Sequence, residues 1–307
     1  MSRTIYSHVV VVGLDGAGAF VKDAQTPEFD RIFRDGALTY GALTSFPSIS
    51  AECWGSMIFG VAPEVHGLTN EIVWKREYPC DSQIPSIFKR ISQARPEAKL
   101  GAYCEWKPIA MGMIEKNVNV SSVSMKDDEL TPVICEYIKK EKPNFLFIHF
   151  DSIDAAGHRS GYGNLPHLQR IGEVDALIGM VYNAVCDAGM ADDTLFIVVA
   201  DHGGTQLPSG GGMHGGWTDE EKYVTLALTG KTVVKGHIEN ANVRDISAIV
   251  LYALGIEIPK FNENGWTSQI PTGIFQDYVQ ENYQDIQCGE EQKKRVSKVQ
   301  HTSEDAE

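Results

Sequence analysis

Four apolar runs constrain the fold of this 307-residue chain more than any other feature. They lie at residues 8 to 14, 99 to 106, 144 to 150 and 194 to 200, and each is hydrophobic almost throughout rather than at alternate positions. Such runs are typical of parallel strands, because helices cover both faces of a parallel sheet. We therefore predict four buried parallel strands.

Helical patterns separate these runs. The clearest lies between residues 165 and 189, where apolar residues recur every three or four positions and form one stripe. We predict further helices at 26 to 34, 51 to 60, 84 to 93, 128 to 141 and 242 to 254. Strands that alternate with helices indicate an α/β fold with a doubly wound, mainly parallel sheet flanked by helices.

No internal repeat or Pro/Gly/Ser-rich linker divides the chain, so we predict one domain over residues 1–275. Residues 68–82 lack clean periodicity, and we interpret them as a small loop or cap insertion, with an ordinary surface excursion as the alternative. Residues 276–307 are polar and have little to bury, so we predict a polar C-terminal tail.

Composition narrows the class of partner. A formal charge of -14 disfavours polymeric nucleic acid and anionic membranes as partners, because the long-range field repels both. No stretch approaches the roughly 18 apolar residues that span a bilayer, and the start of the chain looks like a strand rather than a signal peptide. The six scattered cysteines form no CxxC pair, which suits reduced thiols. We expect a cytoplasmic location and leave the oligomeric state open.

Acidic residues follow three of the predicted strands. Asp15, Asp151 and Asp201 each come directly after an apolar run. The carboxyl ends of parallel strands meet at one edge of the sheet, where ligands bind in open α/β folds. Any one of these residues could simply cap a helix. Three carboxylates at one edge repel one another unless cations neutralise them, which favours a metal site.

Three histidines extend the set. His158, His202 and His214 lie near the acidic motifs or within glycine-rich segments. Imidazole together with carboxylate is the donor combination preferred by zinc and also used for manganese or iron. The alternative for each single histidine is an ordinary buried or solvated side chain.

A candidate nucleophile lies at the start of the helix predicted at residues 51 to 60. Ser50 follows a Pro-containing turn, and the free N–H groups of the helix could bind an anion. A bound metal would lower the pKa of the serine hydroxyl and produce an alkoxide nucleophile. The alternative is that Ser50 only caps the helix.

Five motifs occur in a recognisable order: GLDG, PSISAECW followed by FGVAPEVHG, DAAGH, ADHGG and MHGG. In order and spacing they resemble the alkaline phosphatase superfamily, and within it the type I phosphodiesterase/nucleotide pyrophosphatase branch. The resemblance extends from about residue 8 to 260, which covers nearly the whole chain without the tail. It implies an alkaline phosphatase-like fold.

The resemblance also implies two divalent ions, usually Zn²⁺, with Mn²⁺ or Fe as alternatives, and a covalent phosphoseryl intermediate on Ser50 that is then hydrolysed. It assigns one ion to Asp15, Ser50, Asp201 and His202. It assigns the other to Asp154, His158 and His214, because Asp154 fits the Asp-x-x-Gly-His element. Asp151 is left to orient a ligand or to cap the turn.

The sequence departs from the branch on the substrate side. In the branch, an Asn three positions after the nucleophile contacts a phosphate oxygen, and this chain has Cys53 there. A thiol is a weak donor, so a backbone N–H or a residue from 68 to 82 could make that contact instead. The candidate substrate contacts are Cys53, Asn70, Trp74 and Lys107.

We therefore expect a metal-dependent hydrolase of small-molecule phosphate esters or nucleotides. Phosphodiester or pyrophosphate bonds are favoured, because no Arg or Lys near the nucleophile motif offsets the second charge of a monoester. The alternatives on the same scaffold are a phosphomonoesterase, a phosphonate hydrolase, a phosphoglycerate-mutase-like enzyme and a catalytically silent metal-binding protein. A sulfatase is disfavoured, because the Pro and Arg of its maturation motif are missing.

Overall fold

A computed structural model of the protein describes residues 4–278 and residue 284. The strands within this part of the chain are β1 (His8–Leu14), β2 (Ala37–Leu43), β3 (Leu100–Cys104), β4 (Val120–Val123), β5 (Phe145–Phe150), β6 (Thr194–Ala200), β7 (Thr205–Gln206), β8 (Gly212–Met213), β9 (Tyr223–Thr229) and β10 (Gly236–His237). Strands β7 and β8 pair with each other, and the other eight form one sheet in the order β10-β2-β9-β6-β1-β5-β3-β4. Apart from residues 276–278 and 284, the predicted tail lies outside the described residues.

Parallel pairing dominates the large sheet. Central strand β1 is parallel to both neighbours, and Val12 pairs with Ile148 on β5 and with Val198 on β6. Strand β9 is antiparallel to both of its neighbours, β2 and β6. The predicted α/β fold with a mainly parallel sheet is confirmed, and the four predicted strands are β1, β3, β5 and β6. Strands β2 and β9 were not predicted.

The helices of the described residues are α1 (Pro27–Phe33), α2 (Ser50–Phe59), α3 (Pro63–His66), α4 (Asn70–Lys75), α5 (Ile87–Ala94), α6 (Pro108–Gly112), α7 (Asp127–Glu141), α8 (Ser152–Ser160), α9 (Leu165–Asp187), α10 (Asp219–Lys222) and α11 (Asp245–Ala253). Each predicted helix is present, with ends within three residues of those predicted. In the part of the chain that the structure describes, no helix has the length and apolar character needed to cross a membrane.

Helix α2 packs directly on the end of the central strand. The indole of Trp54 lies against Gly13, where a Cβ atom would come within 2.4 Å of the ring. Only glycine allows this approach, because a larger residue would push the helix away from the sheet. The contact brings Ser50, one turn before Trp54, towards the carboxyl end of β1.

The segment predicted as a loop or cap contains one short helix. Helix α4 occupies Asn70–Lys75, and residues 76–82 are irregular. Tyr78 anchors the irregular part, because its ring lies 4.4 Å from that of Phe59 on α2 and its hydroxyl donates to the carbonyl of Ile84. Tyr78 therefore fixes the irregular part of the segment beside helix α2.

Candidate metal centre

The sheet brings two of the predicted acidic residues together at one edge. Strand β1 is in register with β5 and β6 up to Leu14, which pairs with Phe150 and Ala200. Asp15 and Asp201 come next in the chain, so both leave the sheet at the same level. Both side chains are buried, with exposed fractions of 1% and 0%.

Asp15, Asp201 and His202 form the first cluster, and Ser50 lies beside it. The Nε2 atom of His202 lies 3.4 Å from Asp15 Oδ1, 3.4 Å from Asp201 Oδ2 and 3.2 Å from the hydroxyl oxygen of Ser50. The structure thus brings together all four residues that the resemblance assigns to one ion.

Each carboxylate of this cluster presents one free oxygen. The Oδ2 atom of Asp15 accepts hydrogen bonds from Trp54 Nε1 at 3.0 Å and His149 Nε2 at 2.9 Å. The Oδ1 atom of Asp201 accepts from the backbone N–H groups of Gly16 and His202. Their other oxygens, Asp15 Oδ1 and Asp201 Oδ2, are buried without a hydrogen-bond partner in the described structure. A buried oxygen of this kind is costly, and a bound cation would satisfy both.

The second cluster lies on helix α8 and the loop after β8. Asp154 and His158 are one helical turn apart, with 3.2 Å between Asp154 Oδ2 and His158 Nε2. The Nε2 atom of His214 lies 3.2 Å from His158 Nε2 and 3.9 Å from Asp154 Oδ1. The rings of His202 and His214 stack with centroids 3.8 Å apart, so the two clusters adjoin.

The backbone fixes the orientation of all three imidazoles. The Nδ1–H group of His202 donates to the carbonyl of Gly203. In the same way, Nδ1–H of His158 donates to the carbonyl of Gly212, and Nδ1–H of His214 to the carbonyl of Ser48. Each Nε2 atom then points into the centre. This is the usual arrangement of metal-bound histidine, in which the second nitrogen is held by a carbonyl or carboxylate.

Burial and neighbouring charges raise the pKa of three groups in the two clusters. Burial, reinforced by the charge of Asp154, raises the pKa of Asp15 to about 8. Burial and the charge of Asp15 also raise the pKa of Asp201 well above its usual range. The hydrogen bond with Asp154 raises the pKa of His158 to about 9. A divalent cation supplies the positive charge that these protons otherwise provide, so the donor set fits such an ion.

Asp151 has a different position from the other acids. It stands at the N-cap position of α8, but its side chain makes no capping hydrogen bond. Asp127 caps the helix instead, because its carboxylate accepts from the backbone N–H groups of Asp151 and Ser152. Asp151 lies in a group with Asp15 and His149 at the side of the first cluster.

Three residues that the sequence did not single out contact the carboxylates of Asp15 and Asp154. They are Trp54, His149 and Tyr162. Trp54 and His149 hold Asp15, and the hydroxyl of Tyr162 donates to Asp154 Oδ1 at 2.5 Å. A histidine inside the apolar run FLFIHF was the one local signal. The other two contacts depend on tertiary packing.

The four candidate substrate contacts lie in different environments. The thiol of Cys53 is fully buried and faces the Thr44 hydroxyl and the carbonyls of Ser45 and Pro47, which argues against a substrate contact. The Oδ1 atom of Asn70 accepts from the backbone N–H of Ala51, so this side chain lies next to Ser50.

Trp74 and Lys107 line an open cleft of about 440 Å³, together with Trp106, Met125, Glu129 and Asp151. The side chain of Trp74 is 59% exposed, and its ring meets that of Trp106 edge to face at 6.4 Å. Trp106 in turn packs on His149, with ring centroids 6.5 Å apart. The cleft therefore adjoins the side of the metal centre that holds Asp15.

The fold and the paired clusters beside a helix-borne serine define a protein of the alkaline phosphatase superfamily, as the sequence motifs predicted. The sequence model of the family "Type I phosphodiesterase / nucleotide pyrophosphatase" matches residues 9–94 and 101–254. The chain belongs to that family.

Two relatives are similar to this chain in sequence over part of their length. The chain is 21% identical over 194 residues to mouse ectonucleotide pyrophosphatase/phosphodiesterase family member 1, a match that covers 58% of this chain and 21% of the relative. It is 24% identical over 148 residues to the human GPI ethanolamine phosphate transferase 2 catalytic subunit, covering 46% of this chain and 15% of the relative. The matched region thus spans about a fifth or less of these relatives.

A solved structure shares the fold. An inactive variant of murine ectonucleotide pyrophosphatase/phosphodiesterase 5 in complex with AMP superimposes with a TM-score of 0.69 at 15% identity. The match covers 87% of this chain and 100% of that one. It supports the fold assigned above.

Proposed function

We propose that this protein is a two-metal hydrolase of phosphate esters that prefers diesters or nucleotide pyrophosphates and uses Ser50 as its nucleophile. The observation that carries the proposal is the position of the Ser50 hydroxyl, 3.2 Å from His202 Nε2 and beside two buried carboxylate oxygens that lack hydrogen-bond partners. Membership of the phosphodiesterase family gives independent support.

The two clusters supply a complete donor set. Asp15, Ser50, Asp201 and His202 would hold one ion, and Asp154, His158 and His214 would hold the other. Zn²⁺ is the proposed ion, since it favours mixed imidazole and carboxylate ligands. When bound, the ions would lower the pKa of the serine hydroxyl and stabilise charge on the attacking and leaving oxygens.

The protein side of the proposed reaction begins at Ser50. The Ser50 hydroxyl oxygen loses its proton to solvent and attacks phosphorus, the bond to the leaving alkoxide or phosphate breaks, and a phosphoseryl ester results. The leaving oxygen takes up a proton from water. Water then cleaves the ester and restores the hydroxyl. The Asn70 side chain accepts from the backbone N–H of Ala51 through Oδ1, so its amide NH2 group lies beside the nucleophile, where it would bind a phosphate oxygen.

The charge of the site favours diesters. The main electrostatic influences on Asp15, Asp154 and Asp201 come from burial and from neighbouring carboxylates and imidazoles. A monoester carries a second negative charge, which needs additional cationic donors near the nucleophile. A diester carries one charge, and its second organic group would occupy the cleft of Trp74, Trp106 and Lys107.

Two measurements test the proposal. We expect faster turnover of bis-p-nitrophenyl phosphate than of p-nitrophenyl phosphate, and loss of at least about a thousandfold in kcat in Ser50→Ala. Ser56→Ala is the matched control, because Ser56 lies on the same helix but contacts His66 rather than the clusters. Full hydrolysis by Ser50→Ala would exclude the nucleophile, and a large excess of monoester turnover would exclude the diester preference.

A further inference from the structure

The hydroxyl of Tyr162 makes a short hydrogen bond to one of the proposed metal ligands. It donates to Asp154 Oδ1 at 2.5 Å, while His158 Nε2 lies 3.2 Å from the other oxygen of the same carboxylate. Hydrogen bonds from a hydroxyl to a carboxylate at this distance are among the stronger ones in proteins. The contact therefore fixes the side-chain rotation of Asp154.

The ring of Tyr162 is held in a cradle formed by three glycines, which we call the glycine cradle. A Cβ atom added at Gly157, Gly204 or Gly212 would lie 2.3, 2.6 or 2.5 Å from the ring. No larger residue leaves room for the ring at any of these positions. Since Tyr162 is only 4% exposed, the cradle leaves the hydroxyl little freedom to move away from Asp154.

The contacts of this ring lie on one side of the centre. Its centroid is 5.8 Å from that of His158 and 6.2 Å from that of His214, so the ring supports both histidines of the second cluster. The corresponding contacts to Asp15 in the first cluster come from Trp54 and His149. Asp15 and Asp154, one in each half of the centre, thus have separate hydrogen-bond partners.

We propose that Tyr162 is a positioning residue that sets the affinity of the second half-site for its ion, independently of the first half-site. The inference rests on the two-metal centre of the proposed function. The hydroxyl holds Asp154 in the orientation that faces His158 and His214, and the ion then binds without the cost of ordering that carboxylate.

Tyr162→Phe tests the proposal, because it removes the hydroxyl and keeps the ring. Metal-free protein would be titrated with Zn²⁺ by calorimetry and with Co²⁺ by visible absorption, without any substrate. We expect one ion to bind as in the wild type and the other to bind about 10- to 100-fold more weakly. Activity lost at limiting Zn²⁺ should return at high Zn²⁺ with kcat near the wild-type value.

Tyr103→Phe is the matched control. Tyr103 is also buried, and its hydroxyl pairs with that of Ser121 on neighbouring strand β4 rather than with a metal ligand. We expect this variant to bind both ions with wild-type affinity. Gly204→Ala provides an independent variant, because its methyl group would displace the Tyr162 ring, and it should weaken the same ion.

The outcomes separate the two proposals. Wild-type affinity for both ions in Tyr162→Phe, or equal weakening of both, would overturn the role of Tyr162. If Tyr162→Phe does not fold, selective weakening in Gly204→Ala supports the proposal, and unchanged binding overturns it. Wild-type protein that binds two ions but hydrolyses no phosphate ester would contradict the proposed function alone. Wild-type protein that binds fewer than two ions would contradict both.

Discussion

Two buried carboxylates at the first cluster each keep one oxygen without a partner. In Asp201, the backbone N–H groups of Gly16 and His202 satisfy Oδ1, and Oδ2 faces the centre with Asp15 Oδ1 nearby. Like charges this close and this deeply buried disfavour one another unless a cation lies between them. The same geometry that would bind a metal therefore destabilises the metal-free protein.

Asp201→Asn should separate stability from metal binding. The amide retains an oxygen for Gly16 and His202 and cannot ionise, so folding no longer requires this side chain to take up a proton or to bury a charge. We therefore expect metal-free protein to gain on the order of 1 kcal/mol of unfolding free energy. Zn²⁺ should bind poorly to the first half-site and activity should be lost. Urea unfolding with chelator, calorimetric titration and diester turnover measure the three effects.

Asp175→Asn is the control for this substitution. Asp175 is also buried, and it caps the start of α1 by accepting from the N–H groups of Glu28 and Phe29. Its replacement should leave metal binding and activity unchanged. A metal-free Asp201→Asn protein that is less stable than the wild type would contradict the account of like-charge repulsion.

Helix α8 carries two of the three proposed ligands of the second cluster, and its start depends on a residue from another helix. Asp127, the first residue of α7, accepts from the N–H groups of Asp151 and Ser152 and from the Ser152 hydroxyl. This carboxylate is 1% exposed. One side chain thus orients the helix on which Asp154 and His158 lie.

Asp127→Ala should loosen that helix. We expect a loss of about 1–2 kcal/mol in unfolding free energy, the usual effect of a lost N-cap, together with weaker binding of the second ion. Ser86→Ala is the control, because Ser86 caps α5, a helix without candidate ligands. Similar losses of stability in both variants with weaker metal binding only in Asp127→Ala would support the argument, and equal metal affinities would refute it.

The sequence predicts a strand or helix well where a local hydrophobic pattern determines it. It predicts a strand poorly where pairing with a distant strand determines it. Strands β1, β5 and β6 are continuous apolar runs, so their burial was readable from the chain. Strand β2 alternates between buried and partly exposed positions, and β9 contains Thr225 and Thr229, so neither stands out as an apolar run. The antiparallel direction of β9 depends on pairing between distant strands, which no local pattern encodes.

The same limit applies to the candidate site. Ligand types and order are visible as short motifs, because metal coordination requires particular side chains at the ends of strands. The supporting contacts of Trp54, His149 and Tyr162 are not visible in the sequence, because each depends on tertiary packing rather than on the spacing of residues in a motif. The burial of Cys53 likewise follows from tertiary packing, because every residue of α2 is buried.

At the scale of the whole molecule, the metal-free protein should respond to pH in the opposite sense to metal binding. Burial raises the pKa of Asp15 to about 8, and that of Asp151 and Glu52 to about 7. The folded state then binds more protons than the unfolded state, whose carboxyls have pKa values near 4. Stability therefore decreases as pH rises through the folded pKa values. Burial lowers the pKa of His202 to about 3 and that of His66 to about 4. Below about pH 6.5, these two histidines therefore make stability increase as pH rises.

The window from about pH 6.5 to 8 lies above the contribution of His202 and His66. It contains the effect of the carboxyls and of His158, whose raised pKa of about 9 acts in the same direction. With chelator present, we expect the free energy of unfolding to decrease across this window by about 1–3 kcal/mol, because one pKa unit corresponds to about 1.4 kcal/mol. With saturating Zn²⁺, the stabilisation over the metal-free protein should increase, since the ligands must release their protons to bind the ion. Scanning calorimetry at fixed ionic strength measures both. A metal-free Tm that rises across the window, or a metal-induced increase in Tm that shrinks, would show that the buried carboxyls do not bind protons as the structure implies.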